Sequence, residues 1–187
     1  EKFVGLSKDS KKIEFLYKKA NNNLIKHIQN LNLNSGGNCI EYPIAAVNFL
    51  QSISKKINKV GGALLTFDYG YISKRNKNTL QSIKKHRYIN PLLDPGQSDV
   101  TSHINFRLFY EILKQNKLDV KKVTTQSDFL KKLGIIERAN ILSRKMTFKE
   151  KANMFYRLKR LLDYKEMGSL FKVIFAQKKD SSFSLGF

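Results

Sequence analysis

The feature that most constrains this chain is a short apolar run between a pair of glycines and a polar loop. Residues 60–71 read Val-Gly-Gly-Ala-Leu-Leu-Thr-Phe-Asp-Tyr-Gly-Tyr. An apolar run bounded by turn residues is typical of a strand buried on both faces of a parallel sheet. In open α/β sheets, ligands bind beyond the carboxyl ends of the strands. The pattern predicts a strand over residues 63–68 with Asp68 and Tyr69 at its ligand-binding end. The alternative is a solvated acid that starts a turn.

Apolar periodicity and turn residues predict the other elements. Because Pro43 suits the first turn of a helix, a helix is predicted between it and the central strand. Thr147 and Glu150 have the spacing of a capping box, which predicts the start of another helix. The remaining predictions are a hairpin over 3–6 and 13–17, weak helicity over 21–34, helices over 105–115 and 127–142, and strands over 118–124 and 170–176. The sequence therefore predicts one α/β domain over residues 1–187. Its parts are a hairpin and polar insertion (1–38), a core (39–178) and a frayed tail (179–187).

A long polar segment, residues 72–103, contains two of the three prolines of the chain. Connections of this length in compact domains are usually binding loops or lids. Its prolines predict turns that hold Asp99, Thr101 and His103 in one extended piece, where alternate residues face the same way. These three side chains are predicted to converge on one ligand. The alternative is that Asp99 or Thr101 caps the helix that follows.

The formal net charge of +20 raises the question of a nucleic-acid partner. The basic residues are 28 Lys and only 7 Arg, and Lys is the poorer residue for bidentate recognition of phosphates or bases. They occur as scattered doublets rather than as one stripe with interleaved aromatic residues. The sequence therefore predicts no specific nucleic-acid site, only nonspecific attraction at low salt.

The sequence lacks the features of membrane-spanning, disulfide-bonded and metal-binding proteins. No run of 18 apolar residues occurs, so no membrane span is predicted. The single cysteine, Cys39, excludes an internal disulfide and cannot form a metal site by itself, so no metal site is predicted. Use of one cysteine fits a reducing compartment.

Four sequence blocks resemble, in order and spacing, successive blocks of the MidA family, which contains the mitochondrial complex I assembly methyltransferase and its bacterial relatives. The blocks comprise residues 62–71, 94–106, 125–135 and 167–173. Residues 3–6 and 40–43 resemble the family segments that precede these blocks. The resemblance covers nearly the whole chain.

The resemblance implies a partial class I (Rossmann-like) fold of S-adenosylmethionine-dependent methyltransferases. Residues 63–68 would be the fifth strand of a seven-stranded sheet, 118–124 the sixth and 170–176 the antiparallel seventh. It also implies S-adenosylmethionine as cofactor of the complete enzyme. The family's glycine-rich cofactor loop is expected upstream of Glu1, so the chain would be the carboxyl-terminal half of the enzyme.

A protein substrate, an arginine of a respiratory complex I subunit, is implied by the same resemblance. The implied location is the bacterial cytoplasm, or the mitochondrial matrix in a eukaryote. Methyl transfer in this class depends on positioning and on a group that receives the proton of the nucleophile. Asp68, Asp99 and His103 are predicted to fill these roles, with Tyr69, Gly70 and Thr101 contacting the substrate.

Two alternatives to a catalytic chain stay open. The chain would be a noncatalytic remnant or a half-domain that pairs with a separately encoded cofactor-binding half. A basic nucleic-acid-binding domain is the second alternative.

Overall fold

The computed structural model describes residues 1–7, 12–31, 33, 39–73, 78–184 and 186–187. The strands of this part of the chain are β1 (Lys2–Leu6), β2 (Ile13–Tyr17), β3 (Ala63–Tyr71), β4 (Gln81–Lys84), β5 (Arg87–Ile89), β6 (Asp99–Thr101), β7 (Ile104–Asn105), β8 (Asp119–Val120), β9 (Thr124–Thr125) and β10 (Phe171–Gln177). The helices are α1 (Asn22–Asn30), α2 (Ile44–Val60), α3 (Phe106–Gln115), α4 (Gln126–Lys132), α5 (Ile135–Ser143), α6 (Phe148–Leu162) and α7 (Met167–Leu170). None of the described helices is both long enough and apolar enough to cross a bilayer.

The chain divides into two compact units. The first unit comprises Glu1–Glu41 and Lys74–His103, and the second comprises Tyr42–Ser73 and Ile104–Phe187. The turn that Gly36 and Gly37 predict lies outside the described residues. The predicted boundaries at residues 38 and 178 stay a prediction.

The first unit contains two small antiparallel sheets. One is the predicted hairpin, in which β1 pairs with β2 from Lys2 opposite Tyr17 to Leu6 opposite Ile13. The other joins β4 to β5 and β6, so the segment predicted as a binding loop carries a sheet of its own. The β4–β5 turn places Lys85 and His86 at positive φ, 49° and 61°. Two-residue hairpin turns of this kind usually contain Asn or Gly. Because Lys85 and His86 occupy the turn instead, the sequence does not predict the hairpin.

The second unit is built on one curled sheet of order β7-β3-β10-β8, with β9 also paired to β10. The last strand, β10, runs antiparallel to β3 from Phe171 opposite Tyr69 to Gln177 opposite Ala63. The predicted antiparallel final strand is confirmed. The strand predicted over residues 118–124 is wrong in its length, because only its two ends, β8 and β9, pair with β10.

The two edges of β3 differ. One edge pairs with β10 along its length, while the other pairs only with β7, in parallel, at Gly70 and Tyr71. On that second edge, residues 63–68 have no strand partner within the described part of the chain. Leu65 and Phe67 keep 46% and 39% of their surface exposed. The prediction that this strand is buried on both faces is therefore wrong, since one face is only partly covered.

Aromatic rings and α3 cover the two faces of the sheet. Phe67 and Phe175 lie on one face, where Phe129 of α4 contacts Phe67 and the tail residues Phe183 and Phe187 contact Phe175. The Gln177 side-chain amide donates to the backbone carbonyls of Ser181 and Phe183, both at 3.0 Å. These contacts hold Phe183 and Phe187 against the sheet, whereas the fraying of the tail stays a prediction.

Side-chain caps fix where helices begin. The predicted capping box is confirmed, since Thr147 and Glu150 each accept from the backbone N–H of the other. Asn105 caps α3 by accepting from the backbone of Arg107 and Leu108. The alternative that Asp99 or Thr101 caps this helix is therefore wrong, because the helix begins four residues or more after them.

Candidate functional site

The carboxyl end of β3 presents an exposed acid beside an aromatic ring. Asp68 is exposed, and its Oδ1 accepts the backbone N–H of Tyr69 at 2.7 Å. The Tyr69 ring meets the Phe171 ring edge to face, with centroids 5.9 Å apart. Within the described residues, no hydrogen bond or ion pair is seen at the second carboxylate oxygen of Asp68, which lies next to an aromatic ring that packs on β10.

A lysine that sequence reasoning missed lies directly across from Asp68. Lys172 of β10 is the cross-strand partner of Asp68 and also of Thr125 on β9. Directly paired residues of antiparallel strands project from the same face. Among the described residues no ion pair joins Lys172 to Asp68; the ammonium of Lys172 instead donates to the backbone carbonyl of Ser169. Burial lowers the pKa of Lys172. A charged residue inside the apolar run 170–176 was the available signal.

Gly70 is required by backbone packing. A Cβ at this position would lie 2.2 Å from the carbonyl oxygen of Ile104 and 2.9 Å from the Phe106 ring. Gly70 pairs with Ile104 where β7 joins β3 in parallel. The glycine lets the chain from His103 onward approach the end of β3 closely. Its predicted contact with substrate stays a prediction.

The other predicted site residues belong to the first unit. Asp99 and Thr101 lie on β6, both exposed, opposite Ile83 and Gln81 of β4. Thr101 Oγ1 accepts from the Gln81 side-chain amide at 3.1 Å. The predicted extended piece is thus a strand, and Asp99 and Thr101 project from the same face of it.

A partly buried network of hydrogen bonds fixes the backbone at His103. The His103 N–H donates to Thr79 Oγ1 at 2.9 Å. The Thr79 hydroxyl in turn donates to Glu41 Oε2 at 2.5 Å, and Glu41 Oε1 accepts the backbone N–H of Thr79 at 2.7 Å. Sequence reasoning missed Glu41 and Thr79, although Glu41 lies in the resembling block at residues 40–43. These contacts set the end of the segment from which the chain passes to β7.

The predicted site residues therefore form two groups. Asp68, Tyr69 and Gly70 share the end of β3 in the second unit, and Asp99, Thr101 and His103 share one strand and its extension in the first unit. Convergence of the two groups on one ligand stays a prediction.

Two clefts of the second unit are lined by none of these residues. One, of about 550 Å³, is lined by Tyr110, Lys114, Leu118, Asp119, Val120, Lys179 and Asp180. The other, of about 410 Å³, is lined by Ile72, Lys121, Lys122, Val123, Thr124, Thr125, Asp128, Lys132 and Phe187. In the first cleft, hydrogen bonds from the Gln177 amide and the Lys121 ammonium lower the pKa of Asp119.

The described residues do not form a cradle for S-adenosylmethionine by themselves. A dinucleotide-type or nucleoside site of an α/β sheet places a glycine-rich turn after a strand and before a helix. In the described part of the chain, the paired glycines Gly61 and Gly62 come after α2 and before β3, which is the opposite order. Among the described residues, the end of β3 presents one acid and one aromatic ring, Asp68 and Tyr69, and no glycine-rich turn between a strand and a helix.

The chain is similar to known methyltransferases over more than half of its length. A family model described as "Putative S-adenosyl-L-methionine-dependent methyltransferase" matches residues 1–124. A mitochondrial protein arginine methyltransferase of Xenopus tropicalis is 30% identical over 131 residues, which are 70% of this chain and 30% of the frog protein. Its Xenopus laevis counterpart is 33% identical over 103 residues, 55% of this chain and 23% of that protein.

Solved structures agree with the fold. A protein of Burkholderia thailandensis, an inferred methyl transferase bound to S-adenosyl-homocysteine, superposes with a TM-score of 0.75 at 24% identity. That alignment covers 100% of this chain and 49% of the bacterial one. A second structure from the same organism gives a TM-score of 0.76 at 25% identity, over 99% of this chain and 50% of that one. The predicted partial class I methyltransferase fold is confirmed, and the chain spans half or less of the length of these relatives.

Proposed function

Because this chain belongs to the family of S-adenosyl-L-methionine-dependent methyltransferases, we propose that it is the carboxyl-terminal portion of such an enzyme and acts in methylation of a protein arginine. The family match over residues 1–124 carries the proposal. S-adenosylmethionine is the cofactor of the family and supplies the methyl group. The frog relatives are named protein arginine methyltransferases, which supports an arginine side chain as acceptor.

The finer identity of the substrate is also a proposal. The relatives from frogs are mitochondrial, and the MidA resemblance implies a respiratory complex I subunit. The location that follows is the mitochondrial matrix in a eukaryote or the cytoplasm in a bacterium.

The residues proposed to hold the acceptor are Asp68 and Asp99. A guanidinium donates in-plane pairs of N–H groups that fit a carboxylate, and both carboxylates are exposed. A guanidinium nitrogen must release one proton when it is alkylated, and His103 is proposed as the group that receives it. Support comes from the connectivity of the chain, because His103 immediately precedes Ile104, the partner of Gly70 on β3.

A test of this arrangement uses a complete, active assembly that contains the chain. The Asp99→Ala variant is expected to lower methyl transfer to the acceptor protein about tenfold or more, as for loss of one charge-assisted hydrogen bond, with cofactor binding unchanged. His103→Gln is expected to shift the pH profile of transfer. Coordinates of the assembly that place Asp99 far from Asp68 would overturn the site, and an Asp99→Ala protein that fails to fold would assign Asp99 a structural role.

The unpaired edge of β3 supports a half-domain that needs a complement. Among the described residues, residues 63–68 have no strand partner on one edge, and β7 already pairs in parallel at the end of that edge. Another strand parallel to β3 would extend this pairing. We propose that the remainder of the methyltransferase, on the same or a separately encoded polypeptide, supplies that strand together with the cofactor loop.

Calorimetric titration of the purified chain with S-adenosylmethionine tests the half-domain proposal. Very weak or absent binding and no methyl transfer are expected for the isolated chain. Addition of a polypeptide that carries the glycine-rich half is expected to restore both. Micromolar, stoichiometric binding to the monomeric chain would show a complete cofactor site and overturn the proposal. Failure of the combined halves to transfer a methyl group would favour the noncatalytic remnant.

A further inference from the structure

The connection between α5 and α6 exposes apolar side chains that the fold does not use. We name residues 141–149 the α5–α6 corner. Ile141, Leu142 and Phe148 keep 61%, 47% and 89% of their surface exposed. The described helix α6 has no buried residue at all. These side chains contribute little to the core of the second unit, and exposed aliphatic and aromatic groups grouped in this way are typical of an interaction surface.

The same corner is strongly basic. Residues 141–149 contain three basic and no acidic side chains. Arg144, Lys145 and Lys149 are all exposed. The nearest acid, Glu150, has its carboxylate bound by the backbone N–H and hydroxyl of Thr147, at 2.9 and 2.8 Å. Within the described residues, none of Arg144, Lys145 and Lys149 forms an ion pair, so the corner carries a net positive charge among its apolar side chains, which favours an anionic partner.

Hydrogen bonds hold the backbone of the corner in one conformation. The N–H of Arg144 donates to the Ile141 carbonyl at 3.3 Å, and the N–H of Met146 donates to the Ser143 carbonyl at 3.2 Å. The capping box of Thr147 and Glu150 follows directly and begins α6. Because the turn and the helix start are fixed by these bonds, little backbone ordering is required when a partner binds.

The kind of apolar side chain at the corner distinguishes between two anionic partners, a nucleic acid and a lipid bilayer. Single-stranded nucleic acids bind aromatic rings by base stacking and basic groups by their phosphates. Phe148 offers a ring on which a base can stack, but Ile141 and Leu142, the other two exposed apolar side chains of the corner, offer none. Aliphatic and Phe side chains beside Lys and Arg are the combination that enters the interface of a bilayer, where apolar groups reach the acyl chains and basic groups contact lipid phosphates. The exposed aliphatic pair therefore favours a lipid surface.

We propose that the α5–α6 corner docks on an anionic lipid bilayer. Ile141, Leu142 and Phe148 enter the interface, while Arg144, Lys145 and Lys149 contact lipid phosphates. This is peripheral attachment through a corner of the fold, in a chain whose described helices include none that could span a bilayer. The proposal is independent of the proposed function, because it involves no residue placed in the methyl-transfer site.

A single tryptophan reports insertion at the corner. The chain contains no Trp, so Phe148→Trp introduces the only one. Its emission is expected to shift to shorter wavelength with vesicles of phosphatidylcholine and phosphatidylserine, and to be quenched by lipids brominated on their acyl chains. Tyr88→Trp, at a 75% exposed position on β5 of the first unit, is the matched control and is expected to show neither change. Absence of the shift and quenching in Phe148→Trp would overturn the proposal.

Vesicle flotation measures binding to lipid, since lipid-bound protein floats and aggregated protein sediments. Comparison of two pairs of charge-removing variants in this assay separates local docking from general electrostatic attraction. Arg144→Gln with Lys145→Gln is expected to lower the partition constant of the protein onto the vesicles by about fivefold per charge removed. Lys55→Gln with Lys56→Gln removes the same charge from exposed positions on α2 and is expected to have a much smaller effect. Equal effects of the two double variants would show that net charge alone governs the binding, and would overturn the proposal. A shift of the Phe148→Trp emission with RNA or polyglutamate, but not with vesicles, would do the same.

Discussion

At the residue scale, one glycine determines how closely two strands approach at the candidate site. Gly70 lies where β7 joins β3, and a side chain there would meet the carbonyl oxygen of Ile104. That oxygen belongs to backbone that pairs with β3, so it cannot move without breaking the pairing. The packing role of Gly70 follows from its contacts with Ile104 and Phe106. Its predicted contact with substrate is a separate role that these contacts do not test.

Gly70→Ala is expected to destabilise the protein by about 1–3 kcal/mol, as for other overpacked sites. Chemical unfolding followed by circular dichroism measures the change. Gly5→Ala is the matched control, because its added Cβ would meet the end of the Leu16 side chain, which can move. A loss at Gly70 no larger than that at Gly5 would contradict the packing argument.

Asp119 gives a pH-dependent prediction at the same scale. The Gln177 amide and the Lys121 ammonium hydrogen-bond to its carboxylate and lower its pKa. The pKa of Asp119 is lower in the folded protein than in the unfolded chain. Its contribution to the free energy of unfolding is therefore complete above the pKa of the unfolded chain, and is lost as the pH falls through the pKa of the folded protein. The melting temperature of the wild type is therefore expected to fall more steeply than that of Asp119→Asn between about pH 5 and pH 2.

The control for this titration is Asp180→Asn, which removes a second carboxylate from the same cleft. Within the described residues, Asp180 forms no ion pair of the kind that Asp119 forms with Lys121. Its acid-induced loss of stability is expected to match the wild type. Parallel slopes for wild type and Asp119→Asn would show that the carboxylate hydrogen bonds contribute nothing measurable.

At the element scale, the unpaired edge of β3 is the feature with the largest consequence. A strand edge with free backbone groups and apolar neighbours is a template for pairing with another chain. Leu65 is exposed on this strand, while the opposite edge is closed by β10. The isolated chain is therefore expected to self-associate through this edge.

Leu65→Lys is expected to reduce this association, because a charge beside an open edge disfavours pairing. Sedimentation velocity across a concentration series measures the change. Leu93→Lys, at a 57% exposed position that belongs to no strand, carries the same charge change and serves as control. Equal effects of the two variants would show that added charge alone, and not the edge, governs association.

At the scale of the whole molecule, the net charge of +20 is expected to attract polyanions without selecting among them. A titration of DNA and RNA over a range of salt concentrations is expected to show binding that disappears near physiological salt and has no sequence preference. Sequence-selective binding that survives at physiological salt would favour the nucleic-acid-binding alternative over nonspecific attraction.

Local patterns in the sequence determined the element types and the family. The apolar run ending at Asp68, the capping box at Thr147 and the apolar final strand each specify structure through contacts between near neighbours in the chain. Such contacts depend on residue type and spacing, which a sequence displays directly. The order of the resembling blocks then implied the antiparallel last strand, which the pairing of β10 with β3 confirms.

Only the tertiary structure decided which distant residues became neighbours. Lys172 lies opposite Asp68 because of the register between two strands about one hundred residues apart, and a shift of one residue would reverse its face. Phe183 and Phe187 lie against the sheet because their rings meet Phe175. The small sheet within residues 72–103 likewise depends on pairing between β4 and β6. Strand register and ring packing are set by the free energy of long-range contacts, which local spacing does not encode.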